Sequence, residues 1–337
     1  MTRSQPKVSI CVITYNHAPY IAQTLDSILG QEVDFDYEIV VADDASTDRT
    51  RDILLEYARK HPGTFQLILQ EKNIGQNANF RSLMRQPRGT YIALLDGDDY
   101  WTSSKKLQVQ VDFLERNPDF AFCFHDVVIV EDGKATSRLC PPSLPEVPEL
   151  EGLFESNFVP ASSVLYRRGL FGDDFPAWWL DLQERTHVGD WSIHVLNAEH
   201  GKMRYFNEVW GTYRRHPNGS WSALGAIDLL ERTIEVLATL NRAYGYRFDH
   251  KVRRRIGTLR LDLAVFCARA GRHREGARNL KLGYALASDW SDRLVLSVSF
   301  ARSVLRPSLA LAFRKLRSRG VRTKAARRSS PTEAATP

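Results

Sequence analysis

The chain has 337 residues, of which 43% are hydrophobic and 26% charged, a composition typical of a folded globular protein. No stretch of about eighteen uninterrupted apolar residues is present, and the short polar N-terminus lacks the apolar core of a signal peptide, so we expect a cytoplasmic protein without a spanning helix. The four cysteines are widely spaced, which excludes a disulfide framework and a cysteine-based zinc site as expectations.

The net charge of +6 is unevenly distributed along the chain. Residues 1–225 carry 22 Lys and Arg against 31 Asp and Glu, whereas residues 226–337 carry 24 against 9. An acidic half can hold a metal ion, and a basic half can meet an anionic surface. The asymmetry therefore predicts two functional halves.

Alternating strand and helix patterns occupy the first 135 residues. Short apolar, β-branched runs predict five strands, separated by segments with helical spacing: Val8–Thr14, Tyr37–Asp43, Phe65–Leu69, Thr90–Leu95 and Phe120–Val130. This alternation indicates an α/β protein with a mostly parallel sheet covered on both faces. Ligands in such sheets bind beyond the carboxyl ends of the strands, here just after Thr14, Asp43 and Leu95.

The second part of the chain reads differently. We expect a proline-rich excursion over 139–160, a strand at Ser163–Tyr166, a helix over Val188–His200 and two short strands at Met203–Phe206 and Val209–Tyr213. From Ala226 the pattern is helical, near 226–243, 249–270, 273–288 and 293–305. The predicted domains are 1–225, with halves 1–120 and 121–225, a helical appendage at 226–312, and a basic, disordered tail at 313–337.

The most informative motif is LLDGDDYW (94–101), in which a buried strand ends in three carboxylates. Carboxylates this close repel one another unless a cation compensates them. At a strand end they suit a hard divalent ion that also takes phosphate oxygens, although a solvated acidic turn is equally compatible with this string alone. Two further polar strand ends follow the same rule: Thr14-Tyr15-Asn16, and VVADDASTD (40–48), where Asp43 or Asp44 is not needed to cap the next helix.

Taken together, SICVITYN, EIVVADDASTDRT, NIGQNANF and YIALLDGDDYW resemble the nucleotide-binding half of glycosyltransferase family 2, of the bacterial surface-polysaccharide type. The resemblance covers about the first 120 residues, with the motifs in the family's order. It implies the GT-A fold, a Rossmann-like mixed sheet with helices on both faces, here followed by the helical appendage. It also implies a nucleotide-diphosphate sugar as donor, with UDP as the default base, and a divalent metal, Mn²⁺ or Mg²⁺.

The resemblance also implies roles for individual residues on the donor side. Asp44 would accept the N3–H of the base, Thr14, Tyr15 and Asn16 would border the base pocket, and Asp96 would lie near the ribose. Asp98 would ligate the metal, which neutralises charge on the leaving diphosphate. Asp99 is the third member of the carboxylate set, at a position where relatives vary.

Two motifs of the second half complete the predicted chemistry. Asp190, in THVGDWS (186–192), resembles the family's acceptor-side acid and is the expected general base of a single inverting displacement. Its alternative role is that of a helix N-cap. In GTYRRHPNGSWS (211–222), Arg214 and His216 are expected to reach the diphosphate, with His216 also a candidate metal ligand. A structural role for this histidine is equally open.

The acceptor is expected to be a glycan or lipid-linked glycan. Apolar blocks alternating with Arg and Lys over Arg293–Arg319 fit peripheral contact with the cytoplasmic face of a membrane, and equally a packed helical appendage. Three other functions stay open at this point: a catalytically inactive nucleotide-sugar-binding scaffold, a nucleotidyltransferase and a nucleic-acid binder. The TYNHAP loop lacks the basic residues that a nucleotidyltransferase uses, and no known module accompanies the basic half, so no specific nucleic-acid partner is expected.

Overall fold

The computed structural model describes residues 5–172, 174–186, 189–219, 221–286, 293, 294 and 297. The chain divides into two compact units, one formed by residues up to Leu224 together with Glu235–Phe248, the other by Gly225–Ile234 and the residues from Asp249 onward. Residues 235–248, which the helical pattern places in the appendage, belong to the first unit. There Phe154 packs against Tyr244 and Phe248, with ring centroids 5.2 and 4.5 Å apart.

Eight strands in the described residues form one mixed sheet. Their bounds are β1 Val8–Thr14, β2 Tyr37–Asp43, β3 Phe65–Leu69, β4 Tyr91–Asp96, β5 Phe120–Glu131, β6 Lys134–Arg138, β7 Leu165–Arg167 and β8 Lys202–Arg215. The strand order is β3-β2-β1-β4-β7-β5-β6, with β8 pairing to β5. The β3-β2-β1-β4 part is parallel, β7 is antiparallel to both of its neighbours, and β8 runs parallel to β5.

Helices connect most of these strands. Their bounds are α1 Ile21–Leu29, α2 Thr50–Lys60, α3 Gln76–Met84, α4 Lys106–Arg116, α5 Ala177–Thr186, α6 Asp190–Ala198, α7 Ala226–Ala243, α8 Asp249–Arg269 and α9 His273–Ala285. Two short 3-10 turns lie at Leu150–Phe154 and Ala161–Ser163. The five strands predicted for the first 135 residues are confirmed within one residue at each end, and a helix follows each of the first four.

The core of the first unit follows from the alternation of side chains along the strands. Val8, Ile10 and Val12 of β1 point to one face, where they join apolar side chains of α1, α2 and α4 in a single buried cluster. Helix α3 also contacts β1 and β2 but contributes no side chain to that cluster, as expected for a helix on the opposite face. Burial of both faces explains why the strands read as continuous apolar runs.

In the second part of this unit, the strands and helices differ from those predicted from the sequence. The two short strands expected near 203 and 209 are one long strand, β8, because β-bulges opposite His125 and Asp126 carry the pairing past the polar residues Asn207 and Glu208. Strand β6 and helix α5 were not predicted. Helix α5 buries Trp179 and Leu182 at helical spacing and follows Pro176, a signal that the sequence did contain.

The second unit contains the helix pair α8 and α9, which lie in close contact. Gly283 allows this approach, since a Cβ there would come within 2.8 Å of Leu261 and 3.1 Å of the Gly257 carbonyl. The helix expected at 293–305, the membrane-contact segment up to Arg319 and the tail at 313–337 lie almost entirely outside the described residues. Among the helices that the structure does describe, none combines the length and apolar character needed to cross a bilayer.

Candidate active site

The carboxyl end of β4 carries the acidic turn predicted from LLDGDDYW. Asp96 is the last residue of the strand, and Asp96, Asp98 and Asp99 each offer a carboxylate oxygen within 4.8 Å of the others. The turn is held from α1, because the Thr24 hydroxyl donates to the carbonyls of Gly97, at 3.0 Å, and Asp99, at 2.7 Å. The turn therefore presents three carboxylates on a fixed backbone.

The three carboxyl groups differ in their electrostatics. Burial, with the charges of Asp98 and Asp190, raises the pKa of Asp96 to about 8. Burial and the charges of its two neighbours also raise the pKa of Asp99 well above its usual value. Burial acts against ionisation of Asp98 as well, but the hydrogen bond with His216 and the proximity of His17 outweigh it, so its pKa is lowered. Asp98 is thus the carboxylate that stays ionised, and it lies between two imidazoles.

His216 and Arg214 reach this turn from the end of β8. Nε2 of His216 lies 2.9 Å from Oδ2 of Asp98. The backbone N–H of Arg214 donates to Oδ1 of Asp99 at 2.7 Å, and its guanidinium donates to the Asp98 carbonyl and to Gln23 Oε1 at 2.6 Å. That guanidinium lies over the rings of two tyrosines, 4.7 Å from the Tyr20 centroid and 4.9 Å from the Tyr100 centroid.

The neighbouring strand end, after β2, has a second pair of acids. Asp43 is fully buried and engaged, since it accepts from Arg51 Nε at 3.0 Å and from the hydroxyl of Ser46. Asp44 accepts from the backbone N–H of Ile74 at 2.7 Å, and among the described residues no cation lies within ion-pair distance of it. Helix α2 begins at Thr50, whose N–H and hydroxyl both donate to Asp48 Oδ1.

The end of β1 lies between these two acidic turns. Thr14 is buried, and its hydroxyl oxygen has no hydrogen-bond partner among the described residues. Tyr15 is 41% exposed. Asn16 adopts a positive φ of 56° and joins the two loops, because its N–H donates to Ser46 Oγ at 2.9 Å and its side-chain oxygen accepts from the Thr47 N–H at 2.8 Å. Asn16 therefore has a clear structural role beside the predicted pocket.

Asp190 is the first residue of α6, and its side chain is 35% exposed. The N-cap position belongs to Gly189, and no side chain caps this helix, so the cap alternative for Asp190 does not describe the structure. Asn157 Nδ2 donates to Oδ2 of Asp190 at 3.2 Å. The helix N-terminus favours a carboxylate at this position, and the charge of Asp190 acts on Asp96.

A buried histidine lies one helical turn below Asp190. His194 Nε2 is 3.9 Å from Asp190 Oδ2, and its Nδ1 is hydrogen-bonded to the hydroxyl of Tyr166 on β7. Burial lowers the pKa of His194 to about 4, against the charge of Asp190, so this imidazole is neutral near pH 7. It supports α6 from the core without neutralising the acid above it.

The structure brings most of the predicted site residues together. Asp96, Asp98, Asp99, Arg214 and His216 form one contiguous cluster. Thr14 adjoins this turn, since a Cβ at Gly97 would lie 2.7 Å from the Thr14 hydroxyl. Tyr15, Asn16 and Asp44 lie at adjacent strand ends, and Asp190 enters from α6.

Sequence reasoning missed several residues that support this cluster: His17, Tyr20, Gln23, Tyr100 and Asn157. His17 had a usable signal, because it lies three residues beyond the end of β1, where the strand-end rule already pointed. Tyr100 also had a signal, because it lies within the LLDGDDYW motif. Tyr20, Gln23 and Asn157 contact the cluster only through the packing of segments that are distant in the sequence.

Comparison with known proteins finds a matching family model and several similar proteins. A family model described as Glycosyl transferase family 2 matches residues 9–175. An uncharacterized protein of Mycobacterium tuberculosis is 41% identical over 215 residues, which cover 64% of this chain and 60% of that protein. An uncharacterized glycosyltransferase of Nostoc is 29% identical over 265 residues, covering 77% and 79%. The chain thus spans about 60% of the length of the mycobacterial relative.

Two solved structures show the same fold. TarS of S. aureus in complex with UDP gives a TM-score of 0.53 at 22% identity, covering 88% of this chain and 81% of that one. The mannosyltransferase PcManGT of Pyrobaculum calidifontis, in complex with GDP-Man and Mn²⁺, gives 0.51 at 19%, covering 90% and 87%. The GT-A fold predicted from the sequence is therefore confirmed.

The family match begins within β1 and includes both acidic strand ends, whereas Asp190, Arg214 and His216 lie beyond its last residue. The relatives and the fold agree with this match, so residues 9–175 form a domain of glycosyltransferase family 2.

Proposed function

We propose that this chain is an inverting, metal-dependent glycosyltransferase. It moves a sugar from a nucleotide-diphosphate donor, with a UDP-sugar as the first candidate, to a hydroxyl of a glycan or lipid-linked glycan. The observation that carries the proposal is the cluster at the carboxyl end of β4, where Asp96, Asp98 and Asp99 each offer a carboxylate oxygen within 4.8 Å of the others and His216 Nε2 lies 2.9 Å from Asp98. The charge of Asp190 also acts on the carboxyl group of Asp96, so the acid at the start of α6 belongs to the same site.

On the donor side, the roles follow the family resemblance and fit the contacts. Asp44 has no cationic partner among the described residues and is suited to accept the N3–H of a base. Thr14 has an unused hydroxyl beside the acidic turn. Asp96, the last residue of β4 and a neighbour of Asp98, would form a hydrogen bond with the ribose.

The acidic turn also fits a divalent ion. Asp98 is ionised and His216 Nε2 is adjacent to it. The carboxylate oxygens suit Mn²⁺ or Mg²⁺, and the imidazole nitrogen is a donor that transition ions accept more readily than Mg²⁺ does. When bound, such an ion neutralises charge on the leaving diphosphate. Arg214 places a permanent positive charge at the same turn, where it can assist this stabilisation.

On the acceptor side, Asp190 is the proposed general base. Its carboxylate takes the proton of the acceptor hydroxyl while that oxygen forms a bond to C1 of the sugar. The bond from C1 to the phosphate oxygen breaks, and its electron pair leaves with the diphosphate. Because attack and departure occur on opposite faces of C1, one displacement inverts the configuration. Asn157 orients the base through its bond to Oδ2.

The acceptor class rests on the family resemblance. Peripheral contact with a membrane, which the basic C-terminal segment favours, would suit a lipid-linked acceptor, and that segment lies outside the described residues. Both remain part of the proposal and are independent of the donor chemistry above.

The proposal is tested first by thermal melting of the whole chain with UDP, GDP, dTDP and their hexose conjugates, each with Mn²⁺, with Mg²⁺ and with a chelator. We expect one nucleoside diphosphate to raise the melting temperature by a few degrees only when metal is present, because a ligand that binds the native state stabilises it. Release of the same diphosphate from its sugar conjugate, measured with acceptor extracts, then tests transfer. No response to any nucleotide would contradict the proposal.

A further inference from the structure

His17 has no role in the chemistry proposed so far, yet it faces the ionised carboxylate of the site. It lies in the loop between β1 and α1, and its Nε2 is 3.8 Å from Oδ2 of Asp98. His216 approaches the same oxygen at 2.9 Å. The two imidazole rings stand edge to face with centroids 6.2 Å apart, and one ligand atom from each histidine and from Asp98 lies within 4.8 Å of the others.

The position of His17 is fixed by backbone contacts and close packing. Its carbonyl accepts from the N–H of Ile21 at 2.9 Å, and the N–H of Ala18 donates to Asp48 at 3.0 Å. Nδ1 packs on Gly97, where a Cβ would come within 2.9 Å of it. This buried Nδ1 has no hydrogen-bond partner among the described residues, so packing orients the ring and leaves Nε2 directed at Asp98.

The carboxylates on the other side of Asp98 are less available. Asp99 is buried, and its Oδ1 already accepts from the backbone of Arg214. The Arg214 guanidinium is bonded to the Asp98 carbonyl, which places a positive charge against that flank of the turn. A cation that approaches Asp98 is therefore repelled less on the side where the two histidines lie.

We propose that His17 is a ligand of the metal ion, so that the protein donors are two imidazole nitrogens, from His17 and His216, and one carboxylate, from Asp98. This inference rests on the metal site of the proposed function and adds a ligand from a different loop. Imidazole donors suit transition ions, whereas Mg²⁺ prefers oxygen donors and retains its waters. The site therefore discriminates in favour of Mn²⁺ over Mg²⁺, and His17 contributes to that discrimination.

The test counts nitrogen ligands directly, with Mn²⁺ alone and with Mn²⁺ plus UDP as probes. Pulsed electron paramagnetic resonance of bound Mn²⁺ detects coupling to coordinated ¹⁴N. We expect two imidazole nitrogens in the native chain and one in His17→Phe, which keeps an aromatic ring against Gly97. Mn²⁺ affinity should fall about tenfold or more, since even changes to groups behind metal ligands cost about 10–100-fold. The preference for Mn²⁺ over Mg²⁺ should fall with it.

Two further variants make the result decisive. His17→Gln removes the imidazole with a smaller side chain, in case Phe prevents folding, and His200→Gln, at an exposed histidine after α6, is the matched control. If His17→Gln or His17→Phe keeps two nitrogens and native Mn²⁺ affinity while Asp98→Ala abolishes binding, His17 is not a ligand and the proposed metal site still holds. If Asp98→Ala binds Mn²⁺ as the native chain does, the metal site itself is wrong. Loss of metal-free UDP affinity in the His17 variants, with the nitrogen count unchanged, would assign His17 to the diphosphate instead.

Discussion

Two acidic turns lie at neighbouring strand ends of this sheet, and they are built in opposite ways. After β2, the buried carboxylate of Asp43 is neutralised by Arg51 and hydrogen-bonded by Ser46. After β4, three carboxyl groups lie together, burial and mutual repulsion raise the pKa of Asp96 and of Asp99, and only Asp98 has imidazole partners. Both turns contain adjacent aspartates in the sequence.

The difference shows how a structural acid can be separated from a chemical one. An acid whose hydrogen-bonding capacity is filled by its own protein contributes to stability. An acid held near like charges without full compensation costs stability, and such an arrangement is typical of sites that bind cations or substrates. On this basis Asp43 is expected to serve the fold and the Asp96–Asp99 turn to serve the proposed site, with Asp44 intermediate between them.

The largest expected effect comes from removing the ionised acid of the second turn. Asp98→Ala should abolish metal-dependent nucleotide binding, because the substitution removes the carboxylate that both histidines face. Thermal melting with UDP and Mn²⁺, against chelator, measures this. Asp112→Ala, at a half-buried aspartate of α4 outside this turn, is the matched control. An unchanged metal-dependent shift in Asp98→Ala would remove this turn from the donor site.

The next effect separates the donor side from the acceptor side. Asp190→Asn should leave donor affinity near native and lower transfer by about 100-fold or more, because an amide cannot take the acceptor proton. Binding titration and initial rates together give the split, with Asp181→Asn, an exposed acid of α5, as control. Equal losses of affinity and rate would mean that Asp190 only supports the structure around Asn157.

A third pair of variants compares the adjacent acids of the first turn. Asp43→Asn should lower the free energy of unfolding by about 1–3 kcal/mol, since it leaves hydrogen bonds from Arg51 and Ser46 incompletely satisfied. Asp44→Asn should change stability less and weaken nucleotide binding more. Urea denaturation and nucleotide titration of both variants provide the measurement. If Asp44→Asn proves the more destabilising of the two, the division between structural and chemical acids does not hold at β2.

Much of the fold and of the candidate site could be predicted from the sequence, and the features that could not be predicted share a physical cause. The strands, the acidic cluster and the polar ends of β1 and β2 are local patterns, because apolar runs and the residues that follow them are contiguous in the chain. Which of the two adjacent aspartates, Asp43 or Asp44, forms an ion pair cannot be predicted from the local pattern, because it depends on where α2 places Arg51. The proximity of His17 to Asp98 likewise depends on two loops that meet only in the folded protein. The single long strand β8 contains bulges, which the alternation of apolar and polar residues does not reveal.

The smallest expected effect concerns the hydroxyl between the two turns. Thr14→Val keeps the shape of the buried side chain and removes an oxygen that has no partner among the described residues, so stability should stay within about 1 kcal/mol of native or rise slightly. If that hydroxyl forms a hydrogen bond with the nucleotide, the affinity of the protein for the nucleotide should fall several-fold, because a hydrogen bond worth about 1 kcal/mol is lost. Calorimetric titration with UDP and Mn²⁺, beside denaturation, separates the two effects. A destabilised Thr14→Val with native nucleotide affinity would mean that Thr14 supports the Gly97 turn and takes no part in nucleotide binding.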